Sequence, residues 1–149
     1  MKVVLFSIAL ALIVVSRSVV AGEVILNIQE SGDLVVVSVI NASQHPIKVR
    51  KWFTQNMAFG LIGFSVSVDG RRHIPLTGPN EDYSIASDYV TISPLQVVGG
   101  AFYISDLRKL YRVGTGCFEL RAEYHDVVAE KFAAYKGTPR SNVISVCSA

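Results

Sequence analysis

From Cys117 to Tyr124 the chain reads CFELRAEY, and its side chains alternate without a break: Phe118, Leu120, Ala122 and Tyr124 on one side, Cys117, Glu119, Arg121 and Glu123 on the other. A period of two belongs to a strand with one face in a core and the other at the surface. Gly114 and Gly116 permit a tight turn into it. Residues 142–147 alternate in a complementary way. Laid antiparallel so that Phe118 faces Val146 and Leu120 faces Ile144, the two segments set Glu119 opposite Ser145 and Cys117 opposite Cys147 on the remaining face. The apolar pattern and the sulfur positions demand the same register, so a Cys117–Cys147 disulfide is expected. Closing a loop of this length contributes about 3–4 kcal/mol in the chain-entropy treatment. Just upstream, Leu107 and Tyr111 stand four apart, which predicts one helical turn packing back on the sheet. A tyrosine directly ahead of a strand resembles the tyrosine corner of Greek-key sandwiches and reads as an anchored core residue.

The N-terminus bounds compartment and size. Lys2, an uncharged apolar run over residues 3–15 and small residues up to Gly22 have the layout of a secretory signal peptide, with cleavage expected after Ala21 or within the next two residues. An uncleaved anchor is the alternative, but the run is short for a membrane span and Arg17 interrupts it. Residues 22–149 then form one domain. With Lys2 and Arg17 removed, the 14 Lys+Arg fall to the number of Asp+Glu, 12. A neutral domain has no electrostatic footprint for nucleic acid. Export places it in an oxidising compartment, extracellular or periplasmic, with no stable membrane insertion after signal cleavage.

Along the mature chain, residues 24–28 and 34–40 are rich in β-branched side chains and flank the turn cluster Glu30-Ser31-Gly32-Asp33, which predicts an opening hairpin. Asn41-Ala42-Ser43 matches the N-glycosylation acceptor pattern at Asn41. A strand is expected over residues 47–53, with Ile47 and Val49 on one face and Lys48, Arg50 and Trp52 on the other. Lys48, Arg50 and Lys51 read as a solvated basic face, and Trp52 fits either the core or an exposed patch. Residues 54–60 read as a loop. Residues 61–68 alternate again, and Asp69-Gly70 turns them into a strand over 71–76. Residues 77–87 have loop composition. Strands are expected over 89–92 and 97–104, the latter with a bulge or bend at Gly99-Gly100. Residues 125–139 fit a helical and a strand spacing equally and read as an irregular excursion. About seven to nine short strands with regularly spaced turns predict an all-β, immunoglobulin/fibronectin-III-like antiparallel β-sandwich.

Catalytic patterns are not found. His45, His73 and His125 are scattered, whereas zinc needs three or four ligands converging on one point. Ser65 lies inside a predicted strand, not on a strand-to-helix elbow. Gly99-Gly100 lacks the further glycine and the helix of a phosphate loop. Paired cysteines are not nucleophiles. Glu81 and Asp82 adjoin in a loop with too few oxygen donors for calcium. No catalytic residue, metal or cofactor is assigned. The expected work of such a module is protein contact through its loops, with Asn56 and Phe59 in one and Pro79, Asn80, Glu81 and Asp82 in the other as candidate contact residues.

Residues 69–79 (DGRRHIPLTGP), 88–94 (DYVTISP), 104–111 (ISDLRKLY) and 116–120 (GCFEL) together resemble the β-sandwich N-terminal domain found ahead of deuterolysin-type (peptidyl-Lys) zinc metalloendopeptidases. The similarity spans roughly residues 40–124. The peptidase part, with its zinc histidines and acid, has no counterpart here, so no catalytic residue carries over. The resemblance implies an exported, protease-associated domain acting as inhibitor, chaperone or targeting unit. The alternative is an adhesion or envelope interaction domain with another partner.

Overall fold

A computed structural model describes residues 24–51, 62–76 and 86–147. The segment expected to be a signal peptide, Trp52 and most of the two candidate contact loops lie outside the described residues. The fold is all-β and antiparallel: β1 (Val24–Ser31), β2 (Leu34–Asn41), β3 (Ile47–Arg50), β4 (Ile62–Val68), β5 (Arg71–His73), β6 (Tyr89–Ile92), β7 (Val97–Tyr103), β8 (Cys117–Tyr124) and β9 (Arg140–Cys147), with helix α1 (Ile104–Tyr111) between β7 and β8. Short 3-10 turns occupy Ala86–Asp88 and Ala129–Phe132. The strands form a three-stranded sheet β1-β2-β7, a four-stranded sheet β5-β4-β8-β9 and a ribbon β3-β6.

The layers meet through the residues that the alternation picks out. Phe118, Leu120, Ala122 and Tyr124 of β8 are buried, as are Ile62, Phe64 and Val66 of β4, and they share one core with Leu26, Ile28, Val35, Val37 and Val39. Phe64 and Phe102 meet edge to face with ring centroids 5.0 Å apart. β8 and β9 pair in the expected register, Cys117↔Cys147, Phe118↔Val146, Glu119↔Ser145 and Leu120↔Ile144. The cysteines are bonded, with Cα atoms 4.1 Å apart on the exposed face. Beyond Arg121 the register shifts at an irregularity that sequence periodicity does not reveal. There the Ala122 N–H donates to Ser141 Oγ at 2.8 Å, so the interrupted ladder leaves that donor satisfied.

Turn residues act as expected. Asp69 and Gly70 both have positive φ, 49° and 75°, the signature of a two-residue hairpin turn that matches strand twist. Three expectations need correction. β5 stops at His73, well short of residue 76. β7 stops at Tyr103, and the helix is two turns long: Ile104, Leu107 and Tyr111 form its buried stripe, and Arg112 closes it in the left-handed region. Gly99-Gly100 is neither bulge nor bend, since β2 and β7 pair without interruption from Leu34↔Tyr103 to Ile40↔Val97. A Cβ at Gly99 would collide with the Val37 carbonyl, so this glycine permits close backbone approach rather than a change of direction. The expected tyrosine anchor is present: Tyr111 Oη donates to the Phe64 carbonyl at 2.9 Å inside the core.

One long-range contact closes the side of the sandwich. Asn142 Oδ1 accepts the Ile28 N–H at 3.0 Å and its Nδ2 donates to the Ile28 carbonyl at 2.9 Å. The carboxamide thus does for edge strand β1 what a neighbouring strand would do, from a position on β9. Asn142→Ala is expected to lower stability by about 1–3 kcal/mol, because both backbone groups of a buried residue lose their partners. Denaturant unfolding with an unchanged slope is the measurement, and a loss below a few tenths of a kcal/mol would contradict this account.

Candidate functional site

Three of the four ends of the two segments carrying the candidate contact residues meet in one place. The departing foot of the second, Leu76, instead donates its N–H to the Leu110 carbonyl at the end of α1. β3 pairs with β6, and the last pair of that ladder is Arg50↔Tyr89. One residue further, the Lys51 N–H donates to the Asp88 carbonyl at 2.8 Å. Segment 52–61 therefore departs beside the point where segment 77–85 returns. The far foot of segment 52–61 is Ile62, which pairs with Tyr124, and the Arg50 N–H donates to Tyr124 Oη at 3.4 Å. Both feet of one loop and the returning foot of the other thus converge on the same group of residues.

A polar and aromatic cluster holds this convergence. Arg50 is only 6% exposed, and its guanidinium lies 3.9 Å from the Asp88 carboxylate, an ion pair without hydrogen-bond contact. Lys48 Nζ donates to the Phe132 carbonyl at 3.0 Å and lies 5.6 Å from the centre of the Tyr89 ring. Tyr89 in turn packs on Phe132 at 4.7 Å between centroids. The Tyr135 N–H donates to the Lys48 carbonyl at 2.8 Å. The excursion between β8 and β9 is therefore a cover over the β3-β6 ribbon. The expectation of a solvated basic face is corrected: Arg50 is buried and Lys48 half-buried because this cover lies over them, and only Lys51 is exposed. β3 itself ends at Arg50.

Asp126 sits under the same cover. Its Oδ1 accepts the Val128 N–H at 3.1 Å, an Asx turn that matches the turn expected at His125-Asp126. Its Oδ2 and the Tyr89 hydroxyl are both buried, and neither has a partner at hydrogen-bonding geometry. Burial first, then the Asp126 carboxylate, push the Tyr89 phenol well above its ordinary range. Burial likewise raises the Tyr124 phenol, against its hydrogen bond with the Arg50 backbone. A phenol held this firmly protonated is a poor base and a poor nucleophile at neutral pH. Through Lys48, Tyr124 and Asp126 the cluster bonds the backbone groups of Phe132, Arg50 and Val128.

The remaining sequence candidates are dispersed. Cys117 and Cys147 are bonded on the outer face of the four-stranded sheet, where Ser65, Ser67, Glu119, Arg121 and Val143 line a shallow open groove of about 230 Å³. Asn41 is fully buried: its Nδ2 donates to the His45 and Ile92 carbonyls at 2.8 and 3.0 Å, and its Oδ1 accepts from the Ser43 N–H and hydroxyl. In the folded domain the Asn41 amide thus serves as an internal bridge between the 41–45 turn and β6. His73 Nδ1 contacts the Tyr111 carbonyl at 3.1 Å, and among the described residues no three His, Cys, Asp or Glu side chains gather as metal ligands. Asn56, Phe59, Pro79, Asn80, Glu81 and Asp82 lie outside the described residues. No helix among the described residues is long and apolar enough to cross a membrane. The sequence pattern does not reveal the grouping of Arg50, Tyr89, Tyr124 and Asp126; the one available signal is a tyrosine at each strand end beside a charged residue. No protein-family model matches the chain, and neither does any curated protein.

Tyr111, in the core, is raised to about 12 by burial, against the lowering effect of Arg72. An unfolded phenol ionises near 10. Folding holds the proton where the unfolded chain releases it, so this contribution is complete below about pH 10 and is lost as pH rises toward about 12. Unfolding free energies measured between about pH 9 and 11 are expected to fall with pH, and to fall less steeply in Tyr111→Phe. Equal slopes in the two proteins would contradict the assignment.

Proposed function

We propose that this chain is a non-catalytic, exported recognition module that binds a secreted deuterolysin-type metalloendopeptidase and controls or targets it. The observation that carries the reading is the common foot of the two candidate contact segments, where Lys51 and Asp88 are joined backbone to backbone and Arg50, Tyr89 and Tyr124 are buried around them. A rigid base presenting two loops from one end of a β-sandwich is the usual way such folds recognise proteins. The sequence of those loops supplies aromatic, amide and acidic contacts in Phe59, Asn56, Asn80, Glu81 and Asp82. The peptidase is named on the resemblance of residues 40–124 to the sandwich domain that precedes such enzymes. An immunoglobulin/fibronectin-III-like lineage and secretion through a cleaved signal peptide belong to the same proposal.

The test is affinity capture from the culture medium of the source organism with the purified protein immobilised. Retention of a zinc metalloendopeptidase is expected, reduced at least about tenfold by Glu81→Lys with Asp82→Lys and unchanged by Glu119→Lys, on the outer face of the four-stranded sheet. Retention of adhesins or envelope proteins alone would replace the peptidase with another partner. Loss of binding in Glu119→Lys but not in the loop variant would move the site away from this end.

A further inference from the structure

Strand edges are templates for further pairing, and folded proteins blunt them. Here the edge of β1 is met by the Asn142 carboxamide. β5 is three residues long and carries Arg71 and Arg72. β3 is met on its outer side by the Tyr135 N–H, and Asn41 Nδ2 caps the Ile92 carbonyl of β6. β7 is different. It is seven residues long, bears no charge and no proline, pairs with β2 without a bulge, and makes no hydrogen bond on its far side with any described residue.

The ladder shows which groups face outward. The Asn41 N–H donates to Gln96 and the Ile104 N–H donates to Asp33, at the two ends of the β2-β7 ladder. Hydrogen-bonded pairs recur at every second position in an antiparallel ladder, so Val98, Gly100 and Phe102 bond β2. Val97, Gly99, Ala101 and Tyr103 therefore direct their N–H and C=O groups to the open side. Their side chains also stand on the outer face of the sheet, in rows with Ile25 and Ile40, Asn27 and Ser38, Gln29 and Val36, and Ser31 and Leu34. No charged side chain stands on that face. The outer face of the other sheet carries Glu119, Arg121, Glu123 and Arg140. Val97 and Tyr103 are 56% and 47% exposed.

We propose that β7 pairs antiparallel with β7 of a second copy of this chain, joining the two three-stranded sheets into one. The occupant follows from the size order of the strand. Val97-Val98-Gly99-Gly100-Ala101-Phe102-Tyr103 runs large, large, small, small, small, large, large from either end. Centred on Gly100, an antiparallel copy sets Val97 opposite Tyr103, Val98 opposite Phe102 and Gly99 opposite Ala101, the self-complementary match that a two-fold interface requires. The same register brings every outward-facing residue opposite another outward-facing residue, which allows about eight backbone hydrogen bonds. An unrelated strand has no reason to match the small centre. A contact only one strand long, about 24 Å, is small beside the roughly 1,200 Å² at which stable complexes begin. The dimer is therefore reversible and grows with concentration.

Val97→Cys and Tyr103→Cys variants, oxidised separately and as an equimolar mixture at high concentration, test the register. Hydrogen-bonded pairs hold Cα atoms about 5.5 Å apart, within disulfide reach, while each variant alone places its thiols at opposite ends of the interface. Cross-linked dimer is expected in the mixture at least about fivefold above either variant alone. Equal cross-linking in all three samples, or none in the mixture, overturns the proposal. Ala101→Pro removes an outward N–H without touching the β2 ladder. It is expected to keep the circular dichroism spectrum and thermal midpoint of the parent while abolishing concentration-dependent sedimentation. Retained dimerisation in that variant would also overturn it.

Discussion

The alternation of β8 organises the molecule. Leu120, Ala122 and Tyr124 are wholly buried, and each has as its immediate neighbours an exposed or half-exposed side chain. A strand of period two has no intermediate choice: moved by one residue against its neighbours, it would place Glu119, Arg121 and Glu123 in the core. β4 on one side and β9 on the other are therefore held in register by burial, before any hydrogen bond is counted. The disulfide is a consequence of that register. Cys117 and Cys147 meet because Phe118 and Val146 must, and the bond then restricts the unfolded chain rather than shaping the folded one.

This division also explains what could be read in advance. Where burial of alternate side chains or a residue able to take positive φ decides the structure, as in β4, β8 and the Asp69-Gly70 turn, local sequence carries the information. The Cys117↔Cys147 pairing was legible because two independent patterns pointed to one register. Long-range polar contacts leave no such trace. Nothing around Asn142 distinguishes it from any polar residue in a strand, yet its carboxamide reaches Ile28, 114 residues away. Arg50 lies among basic residues and reads as solvated; its burial depends on a cover from residues 125–139, whose sequence fits two periods at once. Gly99 misleads for a related reason, since glycine marks both a bulge and a close backbone approach, and only the position of the Val37 carbonyl distinguishes them.

At the candidate site, the foot was less legible than the loops were as loops. Composition identifies residues 54–60 and 77–87 as connections, but their convergence depends on the pairing of β3 with β6, two four-residue strands far apart in sequence. Short ribbons are weakly stable alone. Here the ribbon is held by the Tyr124 hydroxyl at the Arg50 N–H, by the Tyr135 N–H at the Lys48 carbonyl and by the Phe132 ring against Tyr89. Buried phenols and a buried guanidinium cost solvation, and a cluster of this kind persists only when its members hold one arrangement.

The two surfaces that the fold leaves for association do not compete. Pairing through β7 runs along the length of a strand in the three-stranded sheet, whereas the two loops leave from the ends of β3, β4 and β6. A pair of molecules joined along β7 would keep both sets of loops, and two weak sites on one particle raise the residence of a partner that can engage both. The charge distribution fits this separation of tasks. Ionic side chains concentrate on the outer face of the four-stranded sheet, which keeps that face solvated, and their absence from the outer face of the three-stranded sheet leaves its β7 edge without the repulsion that ordinarily guards one. Asn142 shows that this fold can guard an edge; at β7 the chain instead places glycine and alanine between large apolar ends, an order complementary to itself.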